Sequence, residues 1–209
     1  MIAGANVAWY AARAGGFVAL ILLTLATLAG LLLAGRAQNK RWPRFAIEDV
    51  HRYLGLLTGI FIWLHVLVLL LDSYLPFSLA QLAIPGISTY RPLPTALGIV
   101  GAELLLALAL TNRFRTRLSH LFWRRAHYLN FAVWALSLAH GVTAGADRDT
   151  AWALALYAGC GGAVAAATVW RALRARPLPA WALGLWTGTA GVVGAELVSA
   201  LVLGPVWPR

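Results

Sequence analysis

His51 and His65 stand fourteen residues apart in one apolar segment, and His127 and His140 stand thirteen apart in another. At about 1.5 Å of rise per helical residue these intervals are roughly 21 and 20 Å. Two imidazoles facing each other at one depth can fill both axial positions of a heme iron. Two such pairs make a two-heme ladder, with His51 and His127 near one face of a membrane and His65 and His140 near the other. A bare metal fits less well, because zinc sites draw three or four ligands from Cys, His, Asp or Glu and each level here offers two. The competing reading makes each histidine a hydrogen-bonded packing residue, with His51 and His127 at helix ends. It is weaker for His65 and His140, since ionisable groups at depth are costly and usually functional. The fifth histidine, His120, sits beside Arg117, Arg124 and Arg125 and reads as an interfacial residue.

The neighbouring residues suit a large flat cofactor. Gly55 and Gly59 fall between the histidines of the first pair, and Ala132, Ala135 and Ser137 between those of the second. Phe61, Trp63, Phe131 and Trp134 are placed to pack around a porphyrin. Arg52, Arg124 and Arg125 at one level and Arg91 at the other are placed to pair with propionates. Helical phase sets a constraint. At about 100° per residue, fourteen residues return to within about 40° of the same face, whereas thirteen miss by about 140°. A bulge, a kink, or approach from opposite flanks must reconcile His127 with His140. Glu103 and Glu196 are intramembrane carboxylates at similar expected depths, either a proton or quinol site or structural carboxyls.

Elements able to carry these residues follow from composition. Of 209 residues, 61% are hydrophobic and 11% charged, and the mean hydropathy is +0.74. A soluble domain carries about 25% charged residues, so a water-soluble globule is excluded, as is disorder. One cysteine, Cys160, excludes an intrachain disulfide and a cysteine-built metal cluster. A spanning helix needs about 20 apolar residues. Six segments qualify, centred on Gly15–Gly35, Tyr53–Leu71, Thr95–Thr111, Ala126–Val142, Thr150–Trp170 and Leu183–Leu203. The expected fold is an all-α integral membrane six-helix bundle, a single domain over residues 1–209. Pro76–Ile84 (PFSLAQLAI) is expected to form a short interfacial helix ended by Pro85-Gly86. Thirteen of the seventeen basic residues fall in the first, third and fifth loops. The positive-inside rule then places those loops in the cytoplasm and both termini outside. The net charge of +10 is thus read as basic membrane-surface loops, not as a nucleic-acid partner.

Several stretches together resemble the ferric reductase-like transmembrane domain family. They are WYAARAGGFVALILLTL (Trp9–Leu25), DVHRYLGLLTGIFIWLH (Asp49–His65), YRPL (Tyr90–Leu93), WRRAHYLNFAVWALSLAHG (Trp123–Gly141) and TAGAD (Thr143–Asp147). That family includes the membrane parts of ferric reductases and NADPH oxidases and the heme-binding subunit of periplasmic methionine sulfoxide reductase. The resemblance implies two b hemes, with His51 and His127 on the inner iron and His65 and His140 on the outer, and electron transfer outward across the membrane. Many family members carry a flavin and nicotinamide domain. This sequence has no GxGxxG after a strand, and its AGCGG (Ala158–Gly162) lies inside an apolar helix. The donor is therefore expected to be a separate flavoprotein or a quinol, and the acceptor a separate extracytoplasmic partner.

The leading expectation is a heme b-binding electron-transfer subunit of the inner (plasma) membrane, one component of an oxidoreductase system. The alternatives are a quinol-linked cytochrome b anchor, in which Glu103 or Glu196 exchanges protons, and a cofactor-free structural subunit. No GxSxG or HExxH motif supports a self-contained hydrolase.

Overall fold

The structure, a computed structural model, describes residues 2–36, 42–73 and 75–174. All regular elements among these residues are helical. In chain order they are α1 (Ile2–Ala34), α2 (Arg44–Leu71), the short α3 (Leu79–Ala83), α4 (Pro92–Arg113), a 3₁₀ turn at Arg115–Arg117, α5 (His120–Tyr128), α6 (Asn130–Ala144) and α7 (Ala151–Arg174). Four stretches are long and apolar enough to cross a membrane: Val7–Ala34, Arg44–Leu71, Pro92–Arg113 and Ala151–Leu173. They correspond to the first, second, third and fifth expected spans. The sixth, Leu183–Leu203, lies outside the described residues.

The expected fourth span, Ala126–Val142, is not one helix. It breaks at Leu129, whose N–H turns back to the carbonyls of Ala126 and His127. The Asn130 side-chain amide donates to the His127 carbonyl at 2.8 Å. Neither proline nor glycine marks the break; a side-chain amide replaces the missing helical donor. Pro76–Ile84 holds the expected short helix, α3. Ser78 and Gln81 cap it reciprocally, each side-chain oxygen accepting the other's backbone N–H. Gly86 then takes the positive φ of 89° that the following turn needs.

The described residues form two compact units, one comprising residues up to 83 together with 155–174, the other residues 84–154. In the first, α1 and α2 pack along their length. Tyr157 of α7 stacks on Phe17 of α1 at 5.7 Å. At the far end of α1, Trp170 covers Gly35 so closely that a Cβ there would lie 2.6 Å from its ring. Gly35→Ala is expected to destabilise by about 1–3 kcal/mol through overpacking, read as a lower unfolding temperature in detergent. An unchanged temperature would show that Trp170 swings away.

In the second unit α4 packs on α6. Val133 and Leu138 of α6 are fully buried, and Trp134, Ala135, Ala139 and Val142 nearly so. Apolar burial on more than one side marks α6 as a core element. Threonine hydroxyls within the helices return to their own backbone: Thr24 to Leu20, Thr58 to Leu54, Thr143 to Ala139 and Thr168 to Val164. In a bilayer such internal satisfaction is required, because no water reaches these groups.

Candidate functional site

In the first unit both histidines of α2 reach across to backbone carbonyls of α1. His51 Nδ1 lies 2.8 Å from the Ala26 oxygen, and His65 Nδ1 lies 2.7 Å from the Ala12 oxygen. The contacts share one antiparallel register, since fourteen residues separate the two histidines and fourteen separate Ala12 from Ala26. A carbonyl oxygen only accepts, so each Nδ1 carries the proton and donates it. In the neutral ring this puts the lone pair on Nε2, the tautomer that a histidine ligating metal through Nε2 requires. Each ring lies against a glycine of α1. A Cβ on Gly30 would come within 3.3 Å of His51 Cε1, and one on Gly16 within 3.3 Å of His65 Cε1.

The second unit repeats the arrangement once. His140 Nδ1 donates to the Pro94 carbonyl of α4 at 2.8 Å. Gly98 lies under the ring more tightly still, with a hypothetical Cβ 2.8 Å from both Cε1 and Nδ1. His127 is held differently. It stands in the last turn of α5 and stacks on Trp123, ring centroids 5.3 Å apart. Its Nδ1 faces the Asn130 side-chain nitrogen at 3.4 Å, a donor rather than an acceptor. The break at Leu129 falls between His127 and His140. The 140° mismatch of a straight helix therefore does not apply: of the three expected ways to reconcile the thirteen-residue spacing, a disruption of the helix is the one found.

The other expected residues are spread around these histidines. Among the described residues, a Cβ on Gly55 or Gly59 would meet no atom within 4 Å, so that flank of α2 is open. Arg52 is exposed and pairs with Asp49 at 3.8 Å. Arg124 and Arg125 are exposed on α5. Arg91 is the N-cap of α4 with a left-handed backbone, φ 42°. Its Nη1 donates to the Thr143 carbonyl at 2.8 Å, beside the Tyr90 hydroxyl on the Ala144 carbonyl at 3.1 Å. Tyr90 and Arg91 thus clasp the C-terminal end of α6, one turn beyond His140. Glu103 is exposed and points about 170° away from the Gly98–Gly101 side that meets α6. Glu196 lies outside the described residues. His120 is the exposed first residue of α5, behind the Ser119 cap.

Three glycines and three carbonyls are therefore part of the site, and the sequence reading passed over them. One signal was present: Gly16 and Gly30 repeat, on α1, the fourteen-residue interval of His51 and His65. Among the described residues, no group of three or more His, Cys, Asp or Glu side chains could hold a bare metal ion.

A helical membrane protein whose spans carry imidazoles oriented through Nδ1 by backbone carbonyls is the class these features define. The chain belongs to the ferric reductase like transmembrane component family, whose model matches residues 15–138, more than half of its length. Domains of this family generally bind heme, and membership points to a role in membrane electron transfer. The match covers His51, His65 and His127 and stops two residues short of His140. Comparisons with curated proteins and with solved structures give no match.

Proposed function

We propose that this chain is the heme b-binding, electron-transferring subunit of a membrane oxidoreductase system. His51 and His127 ligate an inner heme, and His65 and His140 an outer one. The observation that carries the reading is that His51, His65 and His140 each donate Nδ1–H to a backbone carbonyl. A histidine held this way carries its proton on Nδ1, the tautomer in which Nε2 is the nitrogen that binds iron. The hemes supply reversible one-electron chemistry. The chain's residues fix the imidazole planes, exclude water through the apolar spans, and set the potentials through hydrogen bonding at Nδ1 and burial.

Arg52 and Arg124 are the propionate partners of the inner heme. Arg91, with guanidinium donors beyond the one used on Thr143, is that of the outer heme. The basic loops face the cytoplasm of the inner (plasma) membrane, both termini lie outside, and electrons run outward. The donor is a separate flavoprotein or a quinol, and the acceptor is extracytoplasmic. A reduced-minus-oxidised absorption spectrum of the purified protein, with heme counted per chain, tests the core of this. Two low-spin b hemes per chain are expected. Colourless protein after expression with ample heme would overturn the proposal and leave a structural subunit in its place.

A further inference from the structure

The three well-oriented histidines share a feature that lies on the opposite helix. Ala12 is followed four residues later by Gly16, Ala26 by Gly30, and Pro94 by Gly98. In an α-helix the carbonyl of residue i already accepts the N–H of residue i+4. Every Cα–Cβ bond tilts toward the helix N-terminus, so the side chain of residue i+4 overhangs the carbonyl of residue i. A glycine at i+4 is thus the substitution that uncovers that oxygen for a second donor without breaking the helix. The imidazole lies in the space the missing side chain leaves, with Cε1 or Nδ1 2.8–3.3 Å from where a Cβ would stand.

We infer that Gly16, Gly30 and Gly98 are positioning residues for the heme ligands, each opening a shared carbonyl that orients one histidine. This rests on the heme reading above and extends it to residues that touch neither iron nor porphyrin. The fourth histidine supplies an internal contrast. Continuing the antiparallel α4–α6 register thirteen residues beyond Pro94 reaches Ala107, whose overhanging residue is Thr111, not glycine. His127 has Asn130 opposite its Nδ1 instead.

The test compares Gly98→Ala and Gly16→Ala with Gly159→Ala in the full-length protein. A Cβ at Gly159 meets nothing within 4 Å among the described residues. Heme stoichiometry, midpoint potentials and the electron paramagnetic resonance g values of the ferric hemes are measured for each. Gly98→Ala is expected to weaken one heme by about 10- to 100-fold in affinity, the usual cost of losing a partner that orients a ligand. Any heme retained at that level should show a shifted potential and g value, and the second heme should be unchanged. Gly16→Ala, with its larger 3.3 Å clearance, should shift the same heme less. Gly159→Ala should match the wild type. Wild-type potentials and g values for both hemes in Gly98→Ala would overturn the inference; if that variant does not accumulate, the same result in Gly16→Ala overturns it.

A second readout separates this inference from the heme assignment. Nitrogen-15 spectra of labelled histidine in the dithionite-reduced protein should show Nδ1 protonated in at least three rings, with that of His127 joining them where it binds iron. In Gly98→Ala one of these should lose that single tautomer. These signals report the seats even if the purified protein carries no heme, the outcome that would sink the functional reading alone. Fewer than three Nδ1-protonated rings in the wild type would count against the seats, whatever the heme content.

Discussion

His140→Ala is expected to abolish one of the two proposed low-spin heme signals and leave the other. The fold should survive the exchange. The Pro94 carbonyl keeps its helical partner, the Gly98 N–H, so no buried acceptor is orphaned when the imidazole goes. Val133, Leu138 and Val142, which fill the α6 core, are untouched. The heme cannot stay as it was, because no second imidazole takes over: His120 and His127 are on α5, beyond the break at Leu129. His65→Ala should abolish the same low-spin signal, since both residues are assigned to the proposed outer heme. The double variant should lose no more than either single one. That non-additivity is the signature of two residues acting as one unit. Pyridine hemochrome counting with the ferric g values reads the result. Loss of both low-spin signals from His140→Ala, or of neither, would sink the pairing.

The histidines, four of the spans and the short α3 were all legible in the sequence. Their signals are local: apolar length, residue type, and the Pro85-Gly86 stop after a short amphipathic stretch. What escaped depends on a partner distant in the chain. The seat for His65 is made by Ala12 and Gly16, some fifty positions away, and nothing in the α2 segment points to them. The break at Leu129 has no glycine or proline to announce it; the Asn130 amide on the His127 carbonyl makes it. Arg91 was read as a propionate partner from its charge and loop position. Its grip on the end of α6 depends on a left-handed backbone before a proline, an unusual conformation for a non-glycine residue. Glu103, read as either a proton or quinol site or a structural carboxyl, is turned away from α6 by helical phase.

The two ligands of the proposed inner heme should respond unequally to loss. His51 is fixed in the ligating tautomer by its 2.8 Å bond to the Ala26 carbonyl. His127 meets an amide donor at 3.4 Å, long for a hydrogen bond, and one that favours the proton on Nε2. To bind iron through Nε2, His127 must place its proton on Nδ1 and give up that contact. A ligand that has to be reoriented binds more weakly than one held ready, by about 10- to 100-fold if an orienting partner is worth its usual amount. His127→Ala should therefore retain more of the inner heme than His51→Ala does, the retained heme being five-coordinate and high-spin on His51 and giving a new carbon monoxide complex on reduction. His51→Ala should lose more of that heme, because His127 must first give up the Asn130 contact to bind iron through Nε2. Carbon monoxide difference spectra with heme counts on the two variants decide between these outcomes. Equal retention in both would mean that His127 is as firmly oriented as His51 once iron is present, and that the Asn130 contact yields to the metal at no measurable cost.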